Sequence, residues 1–306
     1  MVNIEYIIKI LPNKIEEDLK KIDSLNKLQE IRIKINKPII YEIGMREMIS
    51  SYIVNQDDLK VILQRMSEFS IYAFEEEIKR GYITIKGGHR IGICGRCVIE
   101  GSRIKTIRDI ASVNIRICRE ILGCSNRVMP YIIKNTYVNN TIIISPPKCG
   151  KTTLIRDIAR NVSNGIEKYG FKGKKVCIID ERSEIGACYK GVPQMKVGIR
   201  TDVLDGSPKS EGIMMAIRSM SPEVIICDEI GTYNDMDSII MALNSGINLI
   251  TTIHGFGIED LFRRNVFKKL IDNNVFKKAI ILNNKNGVGT IEYIYDFDKK
   301  NKLEVN

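Results

Sequence analysis

The residues with the clearest chemical pattern form one run, Ser145-Pro146-Pro147-Lys148-Cys149-Gly150-Lys151-Thr152-Thr153. A glycine lets main-chain N–H groups close around an anion. The lysine after it supplies a point charge, and the next hydroxyl can join the shell of Mg2+. Lys151 is therefore expected between the β- and γ-phosphates of a nucleotide, Thr152 on the metal, and Thr153 beside the α-phosphate. Ser145 stands where this loop pattern carries a glycine. A serine tolerates a strand-end backbone but not a positive φ without cost, so Gly150 is the more demanding position.

A second run, Val224-Ile225-Ile226-Cys227-Asp228-Glu229, ends four apolar residues on two carboxylates. Asp228 can hold the metal shell, and Glu229 is placed to orient and deprotonate a water. Taken alone, the same run also describes a buried strand ending in a solvated acidic turn. Between the two runs, Val176-Cys177-Ile178-Ile179 leads to Asp180, Glu181 and Arg182, with Glu184 close behind. These acids read either as metal or water positioning or as a salt-bridged loop. His254, after Leu249-Ile250-Thr251-Thr252-Ile253, reads as a sensor of the γ-phosphate or as a histidine satisfied by the backbone. Arg182, Arg200, Arg103, Arg108 and Arg116 are candidates for neutralising charge on a transferred phosphoryl group.

Together these stretches resemble the stage III sporulation AA family, which is itself similar to the type II and type IV secretion and pilus traffic ATPases. The resemblance rests on Pro146-Pro147 with Gly150-Lys151-Thr152-Thr153-Leu154 and Arg156-Asp157, Asp180 to Ile185, Arg200 to Gly206, Ile217 to Pro222, Asp228 to Gly231 and Thr252 with His254-Gly255. In the first half it rests on Gly87 to Arg96 and Asn114 to Ile117. It implies a RecA-like P-loop ATPase domain behind a smaller N-terminal α+β domain, with ATP and Mg2+ bound. It implies that Asp180 and Glu181 lie in an acidic box and His254 in a histidine box. It further implies a mother-cell, cytoplasmic motor of a secretion-like channel, peripheral at the membrane facing the forespore. The partners so implied are other copies of the chain, as a hexamer, and a small membrane protein of the same assembly. Nucleic acid is not an expected partner. Two other readings stand beside this one: a DNA-stimulated RecA-like ATPase, and a nucleotide-gated scaffold that does not hydrolyse.

The elements that must position these groups follow from hydropathy. Thr141 to Ile144, Val176 to Ile179, Val224 to Cys227, Leu249 to Thr252 and Ala279 to Leu282 are short, β-branched and continuously apolar. Such strands, alternating with helical segments, belong to a parallel sheet covered on both faces. Leu154 to Arg160 has helical period directly after the loop, giving the strand–loop–helix context a phosphate loop needs. In the first half, Glu30 to Ile35, Tyr82 to Ile85, Arg90 to Ile99 and Asn114 to Arg119 alternate apolar and polar residues, with Lys86 to His89 as a hairpin turn. A helix capped by Asp57 is expected through Ser70, and a second from Ile71 to Arg80. The expected domains are 1–130 and 131–306.

Composition sets the outer limits. The 306 residues are 44% hydrophobic and 27% charged, ordinary for folded protein and far from disordered or collagen-like sequence. No apolar run approaches a membrane span, and the N-terminus carries no secretory pattern. The net charge of +10 is spread over both halves, and aromatics make up 7% with no tryptophan, a poor supply of stacking groups for single-stranded nucleic acid. The eight cysteines are expected to be reduced, and Cys94 and Cys97 to be small buried side chains rather than metal ligands.

Overall fold

A computed structural model describes residues 4–68, 74–79 and 81–305. It contains two compact units, Met1–Glu120 and Ile121–Asn306.

The first unit is built on a six-stranded antiparallel sheet in the order Arg46–Ile53, Pro38–Ile43, Leu28–Lys34, Arg103–Arg116, His89–Glu100, Tyr82–Ile85. Alternation does what the sequence asks: Ile31 and Ile33 are buried, while Arg32 and Lys34 face water. Ile91, Ile93, Val113 and Ile115 join them in one core, with Ile7, Ile15 and Leu19 from two short N-terminal helices and Leu59 and Ile62 from Gln56–Met66. Arg32 is paired with Glu30 at 2.5 Å and with Glu42 at 3.5 Å, so this part of the wet face carries its own countercharge.

Three expectations change here. Asn55, not Asp57, caps the Gln56–Met66 helix, by exchanging hydrogen bonds with Asp58 in a capping box. Asp57 falls in the first turn, exposed, and pairs with Lys60 at 3.6 Å. Cys94 and Cys97 are exposed rather than buried, since burial in the His89–Glu100 strand stops at Ile93 and residues 94–97 lie outside the core. Of the expected second helix, Glu75–Lys79 is helical; residues 69–73 and 80 lie outside the described residues.

The second unit holds an eight-stranded sheet. Its order is Thr201–Asp205, Val176–Asp180, Val224–Cys227, Asn248–His254, Thr141–Ser145, Lys278–Asn283, Thr290–Asp296, Asn301–Leu303. The first six are parallel to one another, and each of the last two is antiparallel to the strand before it. All five expected strands are present; the two edges, Thr201–Asp205 and 290–303, lack the continuous apolar run that marks a doubly covered strand. Successive residues of each inner strand enter opposite cores. Ile142 and Ile144 join one with Ile225 and Leu249, whereas Ile143 joins the other with Ile178, Ile226 and Ile250.

The parallel register brings strand ends together. His254 pairs with Ser145 and Asp180 with Asp205, so every candidate group that follows a strand lies along one sheet edge. The Lys151–Asn164 helix is pinned beneath it by a buried polar cluster. Ser125 donates its N–H (2.9 Å) and hydroxyl (2.7 Å) to Asp157, Arg160 Nε donates to the same carboxylate at 2.8 Å, and Asn161 donates to Ser125 Oγ at 2.8 Å. Burial alone would raise the Asp157 carboxyl, but these donors outweigh it and hold the group below its ordinary value. The second unit begins at Ile121, and Ser125 ties this opening stretch to the loop helix.

The capping box gives a direct check of the first unit. Asn55→Ala should destabilise the Gln56–Met66 helix by about 1 kcal/mol, lowering its amide protection in hydrogen exchange roughly fivefold. Asp57→Ala should leave that protection within about twofold.

Candidate functional site

The loop leaving Thr141–Ser145 is shaped for close main-chain approach. Gly150 has φ 86° and Lys148 φ 60°, both left-handed. Ser145 keeps an ordinary backbone, is fully buried, and turns its hydroxyl to the carbonyl of Pro146 at 2.9 Å. A serine there therefore costs no backbone strain, and its side chain is already engaged. Pro147 and Lys148 are exposed and Cys149 is buried. The helix from Lys151 to Asn164 opens without a side-chain cap, leaving first-turn N–H groups and the positive end of the helix dipole for an anion.

Lys151 is only 6% exposed. Its ammonium donates to the carbonyls of Ser145 and Pro146, both at 3.3 Å, and to Nδ1 of His254 at 2.9 Å. Burial pushes the ammonium below its ordinary value, against the pull of the Asp228 and Glu229 carboxylates. An ammonium can only donate, so Nδ1 of His254 accepts and Nε2 carries the proton. That proton points at Glu229 Oε1, 2.7 Å away, while Arg182 Nη1 holds Glu229 Oε2 at 3.0 Å. Lys151, His254, Glu229 and Arg182 thus form a single line of hydrogen-bonded groups.

Thr252 organises the two carboxylates behind this line. Its hydroxyl donates to Asp228 Oδ1 and accepts the N–H of Glu229 at 2.9 Å. Glu229 sits at φ 46°, a strained conformation for a glutamate that this bond helps to hold. The other oxygen of Asp228 accepts from Thr152 at 3.3 Å, which sets hydroxyl and carboxylate side by side as an oxygen pair for a hard cation. Thr153 lies one residue further along the helix, half-buried. Thr252 stands in the family pattern beside His254, but the sequence gives no sign that its hydroxyl joins Asp228 to Glu229.

The residues after Val176–Asp180 divide between shaping and facing the site. Asp180 is 1% exposed and accepts the N–H groups of Glu184 and Gly186, both at 2.8 Å, so it builds the turn that follows it. Burial raises its carboxyl to about 6 even against those donors. Arg156, from the loop helix, closes the same turn through the carbonyls of Glu184 and Ile185, both at 2.6 Å. Glu181 is paired with Lys209. Asp180, Glu181, Arg182, Glu184, Lys209, Asp228 and Glu229 surround a recess of about 10 Å3, on the scale of one water. Arg200 is not brought to this edge: it precedes the Thr201–Asp205 strand and donates to the carbonyl of Ser163, near the far end of the loop helix. Arg108 and Arg116 lie on the sheet of the first unit, and of the Arg103 side chain nothing is described.

A mostly parallel α/β sheet with a glycine-lysine-threonine loop at its C-terminal edge, together with a separate antiparallel N-terminal sheet, is a fold shared with a class of solved ATPases. Similar solved structures are the ATPase DotB of Yersinia pseudotuberculosis (TM-score 0.62, 13% identity, 94% of this chain and 81% of that one) and of Legionella pneumophila (TM-score 0.60, 16%, 89% and 76%). The pilus retraction motor PilT with bound ADP is also similar (TM-score 0.56, 16%, 86% and 77%). At these identities the likeness is one of fold. The sequence matches the family described as Sporulation stage III, protein AA over residues 2–303, and the chain belongs to that family. It is 44% identical over 294 residues to stage III sporulation protein AA of Bacillus subtilis strain 168, with 95% of each chain covered. It is also 26% identical to the uncharacterized protein ycf45 of Porphyra purpurea, covering 88% of this chain and 44% of that one. Among the described residues no helix is long and apolar enough to cross a membrane.

Asp180 provides a check on the electrostatics. Its folded value, about 6, lies above the ordinary ~4. Its contribution to stability is therefore present below about pH 4 and lost as pH rises through 6. In a carboxyl-detected NMR titration Asp180 should show a midpoint near 6 when folded and near 4 in urea; a folded midpoint at or below 4 contradicts the dominance of burial over its N–H donors.

Proposed function

We propose that this protein is a Mg2+-dependent ATPase that drives a secretion-like channel during endospore formation. One observation carries the reading: a buried ammonium, an uncapped helix N-terminus, a threonine–aspartate oxygen pair and a glutamate held at left-handed φ converge on one sheet edge. The residues fit the ligand they are proposed to hold. Gly150 leaves room for the main chain to approach phosphate, and Thr152 beside Asp228 offers two hard oxygens for the cation. Bound Mg2+ would neutralise charge on the phosphate oxygens and leave less for the protein to stabilise.

The chain's own groups then divide the work. Lys151 exchanges weak carbonyl partners and His254 for phosphate oxygens, a gain for an ammonium removed from water. His254, relieved of Lys151, keeps Nε2–H on Glu229 and so holds that carboxylate in place. Glu229 takes a proton from a water as that water attacks phosphorus; the bond to the leaving diphosphate breaks and the glutamic acid returns the proton to solvent. To act as base Glu229 must release one of its two donors. Arg182, 61% exposed, is the freer of them and is then available to neutralise charge on the transferred group. Glu181, paired with Lys209, flanks the recess where a water fits.

The chain is further proposed to work as a hexamer in the mother cell, docked on a small membrane protein of the same assembly. Its kinship with stage III sporulation protein AA and its likeness in fold to secretion ATPases support this. Two observations weigh against the other readings. The serine in the loop is unstrained and turned aside, so it gives no reason for lost hydrolysis. On the first unit Arg32 is already paired with acids, which leaves less free charge there for DNA.

Lys151→Ala should abolish Mg-ATP binding measured by calorimetry and, with it, phosphate release; wild-type turnover in that variant would overturn the assignment. Glu229→Gln should retain ATP affinity within about threefold while phosphate release falls at least 100-fold. If a neighbouring copy supplies an arginine such as Arg200, phosphate release per chain should rise with protein concentration, whereas a flat dependence marks a self-contained site.

A further inference from the structure

We infer that the loop 284–289, Asn284-Lys285-Asn286-Gly287-Val288-Gly289, is the wall of the site that meets the ribose and base of the nucleoside triphosphate. The inference rests on the proposed ATPase reading and adds the end of the ligand which that reading leaves unassigned.

The sheet order gives the direction. The strand that carries the phosphate loop, Thr141–Ser145, has Asn248–His254 on one side and Lys278–Asn283 on the other. The groups that act on the terminal phosphate and the metal, His254, Thr252, Asp228 and Glu229, all lie on the first side. The opposite end of the ligand therefore leaves toward the second side, past the end of Lys278–Asn283. There the chain turns back against the phosphate loop. A Cβ built on Gly150 would lie 3.3 Å from the Cα and N of Gly289 and 3.3 Å from a methyl of Val288. The two loops touch, and the surface they form is continuous.

The 284–289 loop is built rather than loose. Asn283 Oδ1 accepts the N–H of Lys285 at 3.0 Å, Thr290 Oγ1 donates to the carbonyl of Gly287 at 2.7 Å, and Lys285 pairs with Glu292 at 3.0 Å. Gly287 and Gly289 are left-handed at φ 107° and 86°, and so hold Val288 between two turns. Val288 is 72% exposed although it adjoins the most tightly constrained backbone of the site. A branched apolar side chain in that place offers a base or sugar face van der Waals contact and removal from water, without a hydrogen bond to choose between bases.

The experiment uses the full chain with Mg2+ and two probes, ATP and inorganic tripolyphosphate, with calorimetric binding as the readout. Val288→Ala and Val288→Ser should each weaken ATP about three- to tenfold, the loss expected from removing apolar contact. Tripolyphosphate should bind them as it binds wild type, within about twofold. Equal affinity of wild type and both variants for ATP would overturn the inference and leave the phosphate loop assigned. Equal weakening of both probes would also overturn it, because the loop would then act only by packing on Gly150. Wild-type protein that binds neither probe would overturn the ATPase reading itself, and the wall with it.

Discussion

A buried ammonium group is the constraint around which the second unit is arranged. Lys151 opens the loop helix, is almost fully withdrawn from water, and spends its hydrogen bonds on two carbonyls and one imidazole. None of these carries a full negative charge, so the site holds a charge deficit that a phosphate would fill. The rest of the edge reads as a response to that charge. His254 is fixed in one tautomer by it, Glu229 is fixed by His254 and Arg182, and Asp228 is fixed by two threonines. The distant polar cluster of Ser125, Asp157 and Arg160 fastens the helix that presents the ammonium.

Much of this was legible in the residues because parallel strands buried on both faces leave an unmistakable apolar signature. The five inner strands of the second unit and the run from Ser145 to Thr153 are cases in point. The edges were not legible for the complementary reason. Thr201–Asp205 and the antiparallel return at 290–303 are covered on fewer sides, so their polar residues hide the strand. In the first unit the alternating strands near 30, 85, 95 and 115 were visible, but Pro38–Ile43 and Arg46–Ile53 were masked by a proline and by a largely exposed pattern. The cap at Asn55 was displaced by two residues, since either an asparagine or an aspartate can start a helix and only the reciprocal bond with Asp58 separates them.

The site followed the same division between chain-local and fold-level information. Spacing within two short segments singled out Gly150, Lys151, Thr152, Asp228 and Glu229 as candidates, and the fold sets them along one sheet edge. Spacing could not tell that Asp180 turns inward to build a loop while Arg182, two residues on, reaches Glu229. Nor could it separate Arg182 from Arg200, which sequence placed in one group and the fold places at opposite ends of the sheet. Thr252 and Arg156 stood in the family pattern without a role, because a threonine in a buried strand and an arginine on a helix are ordinary; their partners lie 24 and 28–29 positions away in the chain.

The contact between Lys151 and His254 is where the central claim can be tested most directly. Nitrogen-detected NMR of the His254 ring, with Mg2+ and a slowly hydrolysed ATP analogue added to the full chain, reports on it without turnover. If the ammonium is held ready for a triphosphate, saturation should remove the donor from Nδ1 and shift that nitrogen toward its free-imidazole position, while Nε2 keeps its proton. An Nδ1 signal unmoved at saturating analogue, or no saturation at all, would contradict the claim that this lysine grips the nucleotide.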